Sequence, residues 1–72
     1  MAKTIHAPYN KLKVWLKDQN ITYADLGKLL GRTETSIMYK INGKSDFLLS
    51  EIQMIKTTFN VTDDIFFTDN VA

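Results

Sequence analysis

Apolar residues recur along this chain at intervals of three and four, and no segment alternates over the length of a strand. Leu12, Trp15 and Leu16, with Gln19, fall on one face of a first predicted helix, and Lys11, Lys13, Lys17 and Asp18 lie mostly on the other. Leu26, Leu29 and Leu30 stripe a second helix over about Tyr23–Leu30. Ile37 and Ile41 mark a third over about Glu34–Ile41, and Ile52, Ile55 and Phe59 a fourth. Ile65 and Phe66 sit in a short last helix.

Polar punctuation separates these stripes. Pro8 suits a first helical turn, and Asn20 tolerates the left-handed conformation that stops a helix. Thr22 can cap the second helix, with Asp25 three residues on as a capping-box partner. Gly31 then ends it, Thr33 caps the third, and Asn42-Gly43 closes that one. Lys44-Ser45-Asp46 reads as a polar loop with Phe47 plugging the core. Ser50 is the expected cap of the fourth helix, Asn60 its stop and Thr62 the cap of the last. Met1–Ala7 has no period and reads as a flexible arm before a single domain over residues 8–72. The predicted core is Leu12, Leu16, Ile21, Leu26, Leu30, Ile37, Ile41, Phe47, Ile52, Ile55, Phe59, Val61 and Ile65. Each such side chain, fully buried, contributes roughly 1.5–3 kcal/mol before chain entropy is subtracted.

Two helices joined by a short corner with glycine in it form the helix-turn-helix pattern. Thr22, Leu26, Leu30-Gly31, Thr33, Ser36-Ile37 and Asn42-Gly43-Lys44 resemble the Cro and lambda-repressor-like helix-turn-helix group. The run SIMYKINGKSDFLLSEIQMIKTTFNVTDDIFF, residues 36–67, is similar to small regulators in the lysis–lysogeny switches of temperate phages of Gram-positive bacteria. The resemblance covers about Leu12 to Phe66. It implies an all-α bundle of five short helices, with helix 2 near 22–30 and a recognition helix near 33–42. It also implies that Glu34, Thr35 and Tyr39, with Ser36 and Met38 nearby, face a base edge or a partner. Threonine can bond a base edge or touch a thymine methyl, and glutamate can accept from a cytosine amine. Tyr23, Asp25, Lys28, Arg32, Lys40, Asn42 and Lys44 would then meet phosphate or partner groups.

Four positions depart from the family pattern. Tyr23 stands where relatives usually carry a phosphate-contacting glutamine, and Glu34 where a neutral polar residue is common. Leu16 and Ile41 replace an arginine–glutamate pair, which avoids desolvating two charges. An acid beside tyrosine and methionine also fits a protein-binding patch. Two partners therefore stay open: operator DNA, or the DNA-binding domain of a cognate phage repressor, whose phosphate-seeking cations Glu34 or Asp25 could pair with. An antitoxin-type regulator is the third reading.

Charge sharpens this picture without deciding it. The net charge of the 72 residues is only +1. Residues 1–44, however, hold eight Lys/Arg against three Asp/Glu, and residues 45–72 hold one against five. One half of the chain thus suits an anion and the other does not. No enzyme, metal or cofactor, and no small-molecule ligand, is expected. His6 is the one histidine and reads as solvated, cysteine is absent, and Asp63-Asp64 are adjacent and so do not oppose each other. Gly27, Gly31 and Gly43 match no phosphate-loop spacing. No apolar run follows Met1-Ala-Lys, so neither a secretory leader nor a membrane span is expected, and the bacterial host cytoplasm is the expected compartment. Phe67 and Val71 in the tail either close the core or form a homodimer seam.

Overall fold

Helix ends set this architecture, and most of them lie where polar residues punctuate the sequence. The structure is a computed structural model, and it describes residues 4–66. It is all-helical: α1 spans Asn10–Asp18, α2 Tyr23–Leu30, α3 Glu34–Asn42 and α4 Leu49–Phe59, followed by one 3-10 turn at Asp63–Phe66. No strand occurs among the described residues. The predicted fifth helix is this single 3-10 turn, because four residues are too few to build an α-helical ladder. Phe67 and Val71 lie outside the described residues.

Asn20 and Asn60 take left-handed backbone at φ 59° and 55°, as does Gly31 at φ 70°. Thr22 and Asp25 form a reciprocal capping box, with N–H···O distances of 3.0 and 3.1 Å. Two starts differ from expectation. α1 begins at Asn10 rather than in a turn containing Pro8, and Tyr9 is its cap residue. α4 begins after Leu48, so Ser50 lies inside its first turn instead of capping it. The Glu51 carboxylate does the capping: it accepts the Leu48 N–H at 2.9 Å, while the Leu48 carbonyl accepts the Glu51 N–H at 3.0 Å.

The fully buried side chains are Leu12 and Leu16 from α1, Leu26 from α2, Ile37 and Ile41 from α3, and Ile55 from α4. Every helix therefore donates at least one aliphatic residue to a common centre. Phe47 and Ile65 close it, as does Tyr9, which the periodicity does not single out. Ile21, Leu30, Ile52, Phe59 and Val61 pack against this centre half-buried. Tyr9, Phe47 and Phe66 meet as a tilted and edge-to-face cluster at centroid distances of 5.6–6.0 Å. Trp15 meets Phe59 edge-on at 5.1 Å. Such pairs add about 0.5–1.5 kcal/mol beyond the area they bury. No helix of the described residues is long and apolar enough to cross a membrane.

Candidate functional site

The α2–Gly31–α3 corner turns one side of α3 inward and the other outward. Three residues separate the two helices, and they pack against each other. Thr33 starts α3: its hydroxyl accepts the Ser36 N–H at 3.1 Å. That leaves the first turn of α3 in solvent, with Glu34 and Thr35 exposed and Ser36 half-buried. One turn on, Met38 and Tyr39 are 39% and 40% exposed, while Ile37 and Ile41 on the opposite side are fully buried. Glu34, Thr35, Met38 and Tyr39 thus form one outward face carrying one acid, two polar groups and a large soft side chain, and no cation.

The cations read from the sequence divide into three groups. Lys28 is exposed on α2. Lys44 is exposed too, with its ammonium 4.8 Å from the Tyr39 ring centroid, within cation–π range. Arg32 is engaged, its Nε donating to Glu51 Oε2 at 2.7 Å, although two-fifths of its side chain remains exposed. Lys40 does not stand on the outer face. It is 7% exposed, donates to the Asp46 carbonyl at 3.0 Å and lies 3.3 Å from Glu51 Oε1. The reason is helical geometry: position 40 follows Ile37 by three, on the buried stripe.

The remaining predicted contacts are largely occupied by their own backbone. Asn42 is half-buried and its amide donates to the Met38 carbonyl at 2.9 Å. Asp25 is exposed on the first turn of α2. Its carboxyl is held below the usual range, first by the Thr22 N–H, then by the Thr22 hydroxyl and the Lys28 charge. Tyr23 is half-buried against the core.

Three residues that sequence reasoning passed over matter here. Glu51 is only 6% exposed and joins α4 to both ends of the α3 region through Arg32 and Lys40. Burial alone would raise its carboxyl, but the Leu48 N–H, Arg32 and Lys40 outweigh that and hold it low. An acid at the third position of α4 was the available signal. Tyr9 donates its hydroxyl to Asp46 Oδ1 at 2.6 Å. Burial, then that carboxylate, pushes its ionisation up. His6, read as solvated, is half-buried beside it. Among the described residues no group of three or more His, Cys, Asp or Glu side chains converges to hold a metal ion.

Comparison with models of protein families, with curated proteins and with solved structures finds no match to this chain.

Proposed function

We propose that this chain is a non-enzymatic regulator of transcription in a phage lytic–lysogenic switch, working through a helix-turn-helix made of α2, the Gly31 corner and α3. The observation that carries this reading is the outward display of Glu34, Thr35, Met38 and Tyr39 from a helix whose other side is locked in the core. The phage setting is carried by the likeness of residues 36–67. On operator DNA this face would enter the major groove, with Thr35 and Glu34 at base edges and Lys28, Lys44 and Arg32 on phosphates.

A second reading is favoured by the charges. Lys40 is buried and Arg32 already serves Glu51, so the face offers DNA few free cations. What it does offer is an acid beside Met38 and Tyr39, a composition suited to protein contact. Docked on the DNA-binding domain of a cognate repressor, Glu34 would meet cations that otherwise hold phosphate. Such a modulator alters transcription by taking the repressor's DNA-binding surface. This arrangement is the one the geometry supports best. An antitoxin-type regulator would use the same scaffold, and the neighbouring genes would separate it.

The test is a titration against switch-region DNA, with and without the co-encoded repressor, over a salt series. Modulation predicts no shift by this protein alone and a changed repressor shift when both are present. A shift by this protein alone, weakening steeply with salt, assigns it to the operator instead. Silence in both arms overturns the regulatory reading.

A further inference from the structure

A short strap of chain crosses the C-terminal end of α3. The Ile5 N–H donates to the Gly43 carbonyl at 2.6 Å, and the Tyr9 N–H to the Ile41 carbonyl at 3.0 Å. The strap runs so close to α3 that a Cβ on Gly43 would sit 2.2 Å from the His6 carbonyl oxygen. Glycine is required there twice over, since its φ is +98°.

His6 fastens the strap. Its ring stacks on Tyr9 with centroids 4.3 Å apart and planes 24° from parallel. Nδ1 lies 2.7 Å from the Ala7 carbonyl oxygen, and Nε2 lies 2.8 Å from the Ser45 carbonyl oxygen. Carbonyl oxygens only accept. A neutral imidazole owns one N–H and can serve one of these two oxygens, whereas the imidazolium donates to both. Asp46 Oδ1 is 3.6 Å from Nε2.

The other polar groups at this corner are already committed. Asp46 Oδ1 also accepts the Tyr9 hydroxyl at 2.6 Å and the Phe47 N–H at 2.8 Å. From α3, the Lys40 ammonium donates to the Asp46 carbonyl, and its charge faces Glu51 of α4.

We propose that His6 is a proton-operated clasp: with both ring nitrogens protonated it holds the strap across the end of α3, and losing one proton opens it. Open, the clasp leaves either the Ser45 carbonyl, across from the strap, or the Ala7 carbonyl, within it, facing a ring lone pair, a repulsion relieved when the ring or the strap moves. Histidine changes charge within the range a cell can reach. The end of α3 beside Lys44 and Tyr39 is therefore uncovered by a rise in pH. That consequence for binding rests on the regulatory reading; the clasp itself does not.

Nitrogen-15 NMR of the full chain between pH 5 and pH 8 tests it without any partner. The His6 ring nitrogens report protonation, and hydrogen exchange corrected for intrinsic rate reports the Ile5 bond to Gly43. The expected result is both nitrogens protonated while Ile5 is protected, with protection falling by about tenfold or more as the ring loses its proton. In His6→Gln, whose amide cannot donate to two oxygens on opposite sides, Ile5 protection should be low and flat with pH. A ring with one bare nitrogen while Ile5 stays protected overturns the clasp. So does an Ile5 amide unprotected at every pH, or a His6→Gln profile that follows the wild type. Because no ligand enters, failure of the clasp and failure of the regulatory reading remain distinguishable.

Discussion

The Lys40 ammonium and the Glu51 carboxylate lie 3.3 Å apart inside the protein, each side chain less than a tenth exposed. The pair joins α3 to α4, and Arg32 in the α2–α3 corner completes it from the solvent side. Burying two charges costs desolvation, and their attraction offsets that cost only when the remaining polar atoms find partners. Here they do: Glu51 takes the Leu48 N–H, and Lys40 serves the Asp46 carbonyl.

Removing one partner should therefore cost more on the α4 side. Glu51→Ala strands a buried ammonium and uncaps α4, and should destabilise by about 3–5 kcal/mol. Lys40→Met leaves Glu51 with Arg32 and the Leu48 N–H, and should cost about 1–3 kcal/mol for the lost bond to Asp46. Urea denaturation ranks the two; a Lys40→Met loss equal to or larger than that of Glu51→Ala would show that the pair does not work as described.

Glu51 also sets an acid limb. Its carboxyl is held below the ordinary value of 4.5 despite burial, so the folded protein binds that proton less readily than the unfolded chain. The stability it contributes is fully present above the ordinary value and is lost as pH falls through the depressed one. Stability measured from pH 6 down to pH 2 should fall, and Glu51→Gln should flatten the fall while lowering the plateau. Equal acid slopes for the two proteins would move the effect to other carboxylates.

The α2–α3 corner depends on backbone conformation and on one hydroxyl. Gly31 sits at φ +70° with no atom near its absent Cβ, so alanine there meets conformational strain and no clash. Gly31→Ala should cost roughly 1–2 kcal/mol. Thr33→Ala removes the acceptor of the Ser36 N–H and should cost about 1 kcal/mol. Thermal melts should show both losses and close to additive behaviour in the double variant, if the residues act independently. A Gly31→Ala protein as stable as the wild type would mean that α2 ends without needing that conformation.

These features were legible in the sequence to different degrees, for physical reasons. Caps and stops are local, so Thr22, Gly31, Thr33 and Asn60 could be placed from neighbours a few residues away. The aliphatic stripes gave every fully buried residue, because periodicity is a direct image of burial. Lys40 and Glu51 are different. Each looks like a surface charge within its own helix, and their pairing exists only once α3 and α4 meet. Tyr9 was missed because it precedes α1 and belongs to no period. His6 was read as solvated because nothing local tells that Ser45 and Asp46 lie across from it. The outward set Glu34, Thr35, Met38 and Tyr39 was recoverable as the complement of the buried stripe. Which cations accompany it was not, since that depends on tertiary pairing.

The outer face of α3 can be challenged without disturbing the core. Glu34 is exposed and has no ion-pair partner among the described residues, so reversing its charge should leave the melting temperature within about a degree or two, as surface changes usually do. If the face docks on a basic repressor surface, Glu34→Lys sets like charges together and should abolish a co-purifying complex. Met38→Ala should weaken the same complex, because it deletes apolar surface at its centre. If the face instead reads DNA, Glu34→Lys should lose discrimination at the base Glu34 meets, while the added cation strengthens sequence-independent binding at low salt and steepens its salt dependence. Thr35→Ala should then change base preference, while Lys44→Ala weakens all sequences alike. The sign of the Glu34→Lys effect thus separates the two partners in one variant, and no effect on either partner would remove this face from the proposed mechanism.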